Sequence, residues 1–158
     1  NLRALALHYE DVVDQMFIQL DGLSFVERAF QELRTKCYNA AHSHNGKSRY
    51  DSKGDTLRFG GYFCKCDERW GREDWSLTDE MKDILTGVAH YETNTFGRFP
   101  VGFSELLGYS DVSTSLFQFS TCRKFVHLRM FKNGRVDLKF KTAALAKEFA
   151  ETYLDSLC

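Results

Sequence analysis

The stretch FVHLRMFKNGRVDLKF, residues 125–140, decides the fold. It reads as two short strands around Asn133–Gly134. A two-residue type I′ turn there would set Arg129 opposite Leu138 and Met130 opposite Asp137. Every apolar residue would then meet a polar one across the ladder, which a half-buried sheet does not tolerate. A three-residue loop, Lys132–Asn133–Gly134, with Gly134 as the left-handed residue of a bulge, removes the conflict. Val126 then faces Phe140, Leu128 faces Leu138 and Met130 faces Val136. One side of the hairpin is wholly apolar. The other carries Phe125, His127, Arg129 and Phe131 against Arg135, Asp137, Lys139 and Lys141, with Arg129 and Asp137 set as a cross-strand ion pair.

An apolar hairpin face needs a cover. Directly downstream, Leu145, Ala146, Phe149, Ala150, Tyr153, Leu154 and Leu157 recur at helical spacing, with Lys147, Glu148, Glu151, Asp155 and Ser156 on the other side. Upstream, SLFQFSTC (115–122) reads as a strand and FSELLGY (103–109) as a short helical turn. LTDEMKDILTGVAHY (77–91) sets Leu77, Met81, Ile84, Leu85 and Val88 on one helical face, with Ser76 or Thr78 as cap. DERWGREDW (67–75) reads as a polar loop. TLRFGGYFCKC (56–66) reads as one strand or hairpin edge with a bulge at Gly60–Gly61. Nearer the N-terminus, SFVE (24–27) has the form of a capping box. The helix it opens is predicted to bury Val26, Ala29, Phe30, Leu33 and Cys37. A further helical stripe runs from Leu2 to Leu20. The expectation is one α+β domain over 1–158: N-terminal helices and a small antiparallel sheet whose C-terminal hairpin is backed by the final helix.

Composition narrows the function classes. The chain has 158 residues, 43% of them hydrophobic, with 14 phenylalanines and a single proline, which fits a folded core rather than a linker. No apolar run approaches a membrane span, and no signal segment opens the chain. It begins at Asn1 rather than Met, which points to a processed chain or a piece of a longer one. Five cysteines without a secretory signal point to reduced thiols and a cytoplasmic setting. Net charge is −1, yet it is segregated: 1–33 and 73–92 lean acidic, 34–72 and 123–141 basic.

Two features carry candidate chemistry. The hairpin's outer face mixes Arg123, Lys124, Arg129, Lys132, Arg135 and Lys139 with Phe125, His127 and Phe131, and Asn133 sits at its tip. Cations interleaved with aromatics suit phosphate contact and base stacking, whereas the same residues on a solvated strand simply discourage aggregation. A basic loop, HNGKSRYDSKGDTLRFGG (44–61), adds Lys47, Arg49 and Arg58 as phosphate contacts. The second feature is His42-x-His44 with Cys64-x-Cys66, the one arrangement with the residue types of a zinc site; its spacing departs from the usual zinc patterns, and the reading is no metal and no cofactor. No phosphate loop, nucleophile elbow or paired-carboxylate pattern argues for an enzyme.

The order of elements, with the aromatic–Lys–Asn–Gly hairpin at 131–140 and a polar loop running into LRFGGYF, resembles an uncharacterised domain family of bacteria, phages and mobile elements. Its members are often fused to or encoded beside adenine-type DNA methyltransferases. Here CKCDERWGRED (64–74) stands where that pattern has a plainer apolar strand. The resemblance implies a nucleic-acid-binding or DNA-modification accessory module, with DNA favoured over RNA and a DNA methyltransferase or another protein as a further partner. The alternative is a protein–protein module, a phage-borne inhibitor or assembly subunit acting through acidic helices. A membrane partner is not expected.

Overall fold

Helix α1 (Phe25–Ala41) is the first element among residues 25–155, the ones described by this computed structural model. The chain divides into two units, residues 1–32 and 33–158. The helical stripe expected over 2–20, Ser24 of the capping box and Leu157 lie outside the described residues. From Leu33 on, α1 buries Leu33, Cys37, Ala40 and Ala41, a spacing of one helical face. Ala29 and Phe30 are half-buried, and Val26, expected inside, is exposed.

Strands β1 (Tyr50–Lys53) and β2 (Thr56–Phe59) form a hairpin, and so do β3 (Cys64–Arg69) and β4 (Arg72–Leu77). Two corrections to the sequence reading fall here. The segment 56–66 is not one strand: it breaks after Phe59, and β3 belongs to a separate two-stranded sheet. DERWGREDW is not a loop but most of that second hairpin. Its turn is Trp70–Gly71, with φ +56° and +76°. Tryptophan in a left-handed turn position, and like charges set opposite each other along the strands, hide the hairpin from pattern reading.

Helix α2 (Asp79–Thr93) buries Met81, Ile84, Leu85 and Val88 as its stripe requires. Thr78 occupies the N-cap, but its hydroxyl makes no capping bond and has no partner among the described residues. The short α3 (Phe103–Leu107) and β5 (Leu116–Gln118) follow, then β6 (Phe125–Met130), β7 (Val136–Phe140) and α4 (Ala143–Phe149). The Thr142 hydroxyl caps α4 by accepting the Leu145 N–H at 3.1 Å, and a π-helical turn, Ala150–Leu154, extends the helix.

The main sheet has the antiparallel order β1-β2-β7-β6-β5. The hairpin register is the one that the alternation demands: His127 faces Lys139, Leu128 faces Leu138, Arg129 faces Asp137 and Met130 faces Val136. Phe131 and Arg135 close the three-residue loop, with Phe131 N–H donating to Arg135 O at 2.9 Å and Gly134 at φ +90°. One pairing differs. A bulge between Phe125 and His127 sets Phe125, not Val126, opposite Phe140. The extra residue turns Phe125 to the inner face, where it is fully buried. A large ring exposed on the outer face would forgo roughly 2 kcal/mol of burial, and the bulge recovers it. Inside, Phe103, Phe119, Phe125, Phe140, Phe149 and Tyr153 form a chain of ring contacts with centroids 4.8–5.9 Å apart, which takes up five of the 14 phenylalanines. Helix α4 packs on β7 and β2, on the hairpin's apolar side.

Candidate nucleic-acid interface

Strand alternation and the register together build the outer face of the main sheet. One rung runs Asp51, Arg58, Asp137, Arg129, Leu116; the next runs Lys53, Thr56, Lys139, His127, Gln118. The rung between them, with Leu57, Leu138 and Leu128, points the other way and is buried. The basic loop of the sequence is thus carried onto the hairpin: it becomes β1 and β2, and β2 lies against β7.

The face is charged but not uniformly basic. Arg58 grips Asp51 in a bidentate pair at 2.7 Å in both arms, which holds the Asp51 carboxyl below the usual carboxylate range. Arg135, not Arg129, takes Asp137, again bidentate, at 3.0 Å in both arms. The cross-strand pair expected between Arg129 and Asp137 is therefore displaced: two residues along β7, Arg135 reaches the same carboxylate with its fork aligned. Lys139 stands 4.0 Å from Asp55. Arg129, Lys53 and Arg49 make no ion pair with a described residue. His127 is half-buried, and burial, followed by the charges of Lys139 and Arg129, holds its pKa below the ordinary histidine value.

At the β1 edge the face opens into a cleft of about 430 Å³, lined by Arg49, Tyr50, Asp51, Arg58 and Arg135 among others. Three guanidiniums and one carboxylate border it. Each guanidinium carries a planar fork of donors suited to phosphate oxygens. Arg49 brings its full charge; Arg58 and Arg135 are oriented by their aspartates, which stiffens them while leaving donors over.

Other residues singled out in the sequence have different duties. Phe125 offers no stacking surface, being in the core. The Phe131 ring is taken by Arg135 and Arg129, whose guanidiniums lie 4.2 and 5.3 Å from its centre. Lys132 is not directed to the outer face: its Nζ bridges Glu68 at 2.5 Å and Glu73 at 3.0 Å, because the hairpin tip docks on β3–β4. The Asn133 side chain accepts the Arg135 N–H and shapes the loop. Lys124 donates to Tyr91 O at 3.1 Å and sits 4.0 Å over the Tyr91 ring. The Arg123 side chain is exposed, at the opposite end of the hairpin from Arg135, and Lys47 is exposed on its loop without lining the cleft.

The cysteine and histidine pairs are not gathered into one site; among the described residues no three His, Cys, Asp or Glu side chains converge as metal ligands. His42 stacks on Tyr38 and its Nδ1 lies 3.0 Å from Tyr38 O. The buried Cys64 thiol sits 3.2 Å from Phe131 O and 3.4 Å from Arg135 O. Burial pushes the described thiols up, Cys37 to about 12 and Cys122 to about 11, away from thiolate reactivity. Sequence reasoning missed Tyr50 and Asp51 as cleft residues. The signal was present: in RYD (49–51) and TLRF (56–59), strand alternation puts Asp51 and Arg58 on one side.

No family model, no curated protein and no solved structure matches the chain.

Proposed function

We propose that this chain binds nucleic acid, DNA above RNA, as an accessory module of DNA modification in a bacterial or phage mobile element. The observation that carries the reading is the cleft where Arg49, Arg58 and Arg135 meet, continuous with the outer rungs that hold Arg129 and Lys139. Planar guanidinium forks gathered on one face are suited to contacting phosphate oxygens. The resemblance to domains found beside adenine-type DNA methyltransferases supports the same reading and adds a methyltransferase as a natural partner.

Fluorescence anisotropy with labelled single- and double-stranded DNA and RNA across a salt series tests it. Arg49→Ala and Arg129→Ala are the informative variants, because neither side chain holds an ion pair with a described residue and folding should persist. Each is expected to weaken binding about tenfold and to lower the salt slope by about one. Binding that ignores salt, or the same affinity in both variants, sinks the reading.

A second reading, a protein-interaction module, has its own observation. Along the β3–β4 hairpin Asp67 faces Asp74, Glu68 faces Glu73 and Arg69 faces Arg72, and Trp70 at the tip is 99% exposed. Like charges directly opposite one another are destabilising; Lys132 already bridges Glu68 and Glu73, and a partner with an apolar slot for Trp70 and a cation for the Asp67–Asp74 pair would fit this hairpin. Trp70→Ala distinguishes the two readings: it should leave DNA binding intact and abolish capture of a partner protein.

A further inference from the structure

Arg49 borders two cavities at once. Beside the arginine cleft lies a second hollow of about 630 Å³, walled by Tyr38, Asn39, His42 and Glu80 together with Arg49. Both volumes fall in the range of small-molecule sites. The Tyr38 and His42 rings stack at 4.1 Å, and His42 meets Tyr50 of the first cleft edge-on at 6.5 Å, so an aromatic wall runs from one cavity into the other. The Asn39 amide and the Glu80 carboxylate, both exposed, have no hydrogen-bond partner among the described residues.

We infer that the paired cavities hold one unpaired guanine nucleotide, with its phosphate on Arg49, Arg58 and Arg135 and its base in the second hollow, read by Glu80. The inference rests on the nucleic-acid reading above and narrows it. The two cavities differ in chemistry. The first supplies three cationic forks, with its one carboxylate, Asp51, already held by Arg58, and suits an anion. The second supplies flat rings, an amide and a carboxylate, the set that receives an unstacked base. A carboxylate accepts two parallel N–H donors. Of the bases, guanine alone presents two adjacent donors on its pairing edge, N1–H and the N2 amino group. Adenine and cytosine present a donor beside an acceptor, and thymine presents one donor between two oxygens, so each would turn a lone pair toward Glu80. The Asn39 amide can donate to guanine O6. Because one side chain borders both cavities, a single nucleotide bridges them, and the base must be unpaired: in a single strand, an overhang or an extruded position.

The test is anisotropy with short labelled thymidine oligomers carrying one central guanine or one central adenine, with guanosine, inosine and adenosine monophosphates as competitors. The guanine oligomer is expected to bind about tenfold or more tightly than the adenine one, the worth of one bidentate pair. Inosine monophosphate, which lacks the N2 amino group, should compete less well than the guanosine form. Glu80→Gln should bring the guanine-to-adenine ratio to about one, and Glu105→Gln, a charge-matched control elsewhere, should leave it as in the parent. Salt-sensitive binding with no guanine preference, or a preference that survives Glu80→Gln, overturns the inference and leaves the nucleic-acid reading standing. No binding of any oligomer at low salt overturns both.

Discussion

Gly134 lies against Gly61 so closely that a Cβ on Gly134 would stand 1.8 Å from the Gly61 carbonyl oxygen. At the same point Gly134 O accepts the N–H groups of Phe63 at 2.9 Å and Cys64 at 3.2 Å. The hairpin tip is thus fastened to the connector between the two sheets, and this contact brings Arg135 to the edge of the cleft.

Gly134→Ala combines a backbone overlap with a residue at φ +90°. The expected loss of stability is roughly 3 kcal/mol or more, read as a lower urea midpoint with unchanged slope. A variant within about 0.5 kcal/mol of the parent, the ordinary scatter of surface changes, would mean that the tip is not docked on Gly61.

Leu138 is fully buried between its cross-strand neighbours Leu57 and Leu128, whereas the adjacent Lys139 faces outward. Leu138→Asp should abolish cooperative unfolding, since burying an unpaired carboxylate costs several kcal/mol against a total stability of about 5–15. Lys139→Glu should stay folded. Circular dichroism of the two variants checks the register, and the reverse outcome would require the opposite face to be buried.

Glu92, near the end of α2, accepts the backbone N–H groups of Arg123, of Lys124 at 3.0 Å and of Phe125 at 3.3 Å. One carboxylate therefore pins the entry to β6. Glu92→Ala is expected to cost about 2–3 kcal/mol, because three donors lose a charged acceptor, and to speed hydrogen exchange at residues 123–125. Unchanged exchange there would remove Glu92 from this role.

Burial lowers the pKa of both His90 and His127, His127 also through Lys139 and Arg129. Below about pH 6.5 the unfolded chain takes up protons at these sites that the folded chain refuses. Stability should therefore be level above neutrality and fall from pH 6.5 toward the lower folded values. His127→Gln should flatten that fall in urea titrations between pH 7.5 and 5.5. Stability that rises over this interval would contradict the burial assigned to these rings.

Part of this molecule was legible along the chain. The apolar stripes of α2 and α4 and the pairing of Leu128 with Leu138 follow from periods of 3.6 and 2, which local sequence encodes directly. The three-residue loop followed from the same logic, since only that loop length sets apolar against apolar. What escaped was non-local. Phe125 turns inward because a cluster of distant rings rewards its burial through a bulge, and nothing in FVHL marks one. Arg135 takes Asp137 from Arg129 because the fork geometry along one strand is better than the geometry across two.

The arginine cleft shows the division most plainly. Sequence by itself determined that Arg135 lies beside the outward face of the 125–140 hairpin and that Arg49 and Arg58 belong to one basic polar stretch. Only tertiary structure decided that they meet. The β2–β7 pairing joins segments separated by some eighty residues, and it is selected by the burial of Leu57 and Phe59 together with Leu138 and Val136, with α4 packed on both strands. Hydrophobic burial is non-directional. It dictates which faces close upon each other, and the opposite faces, with their arginines, come together as a consequence.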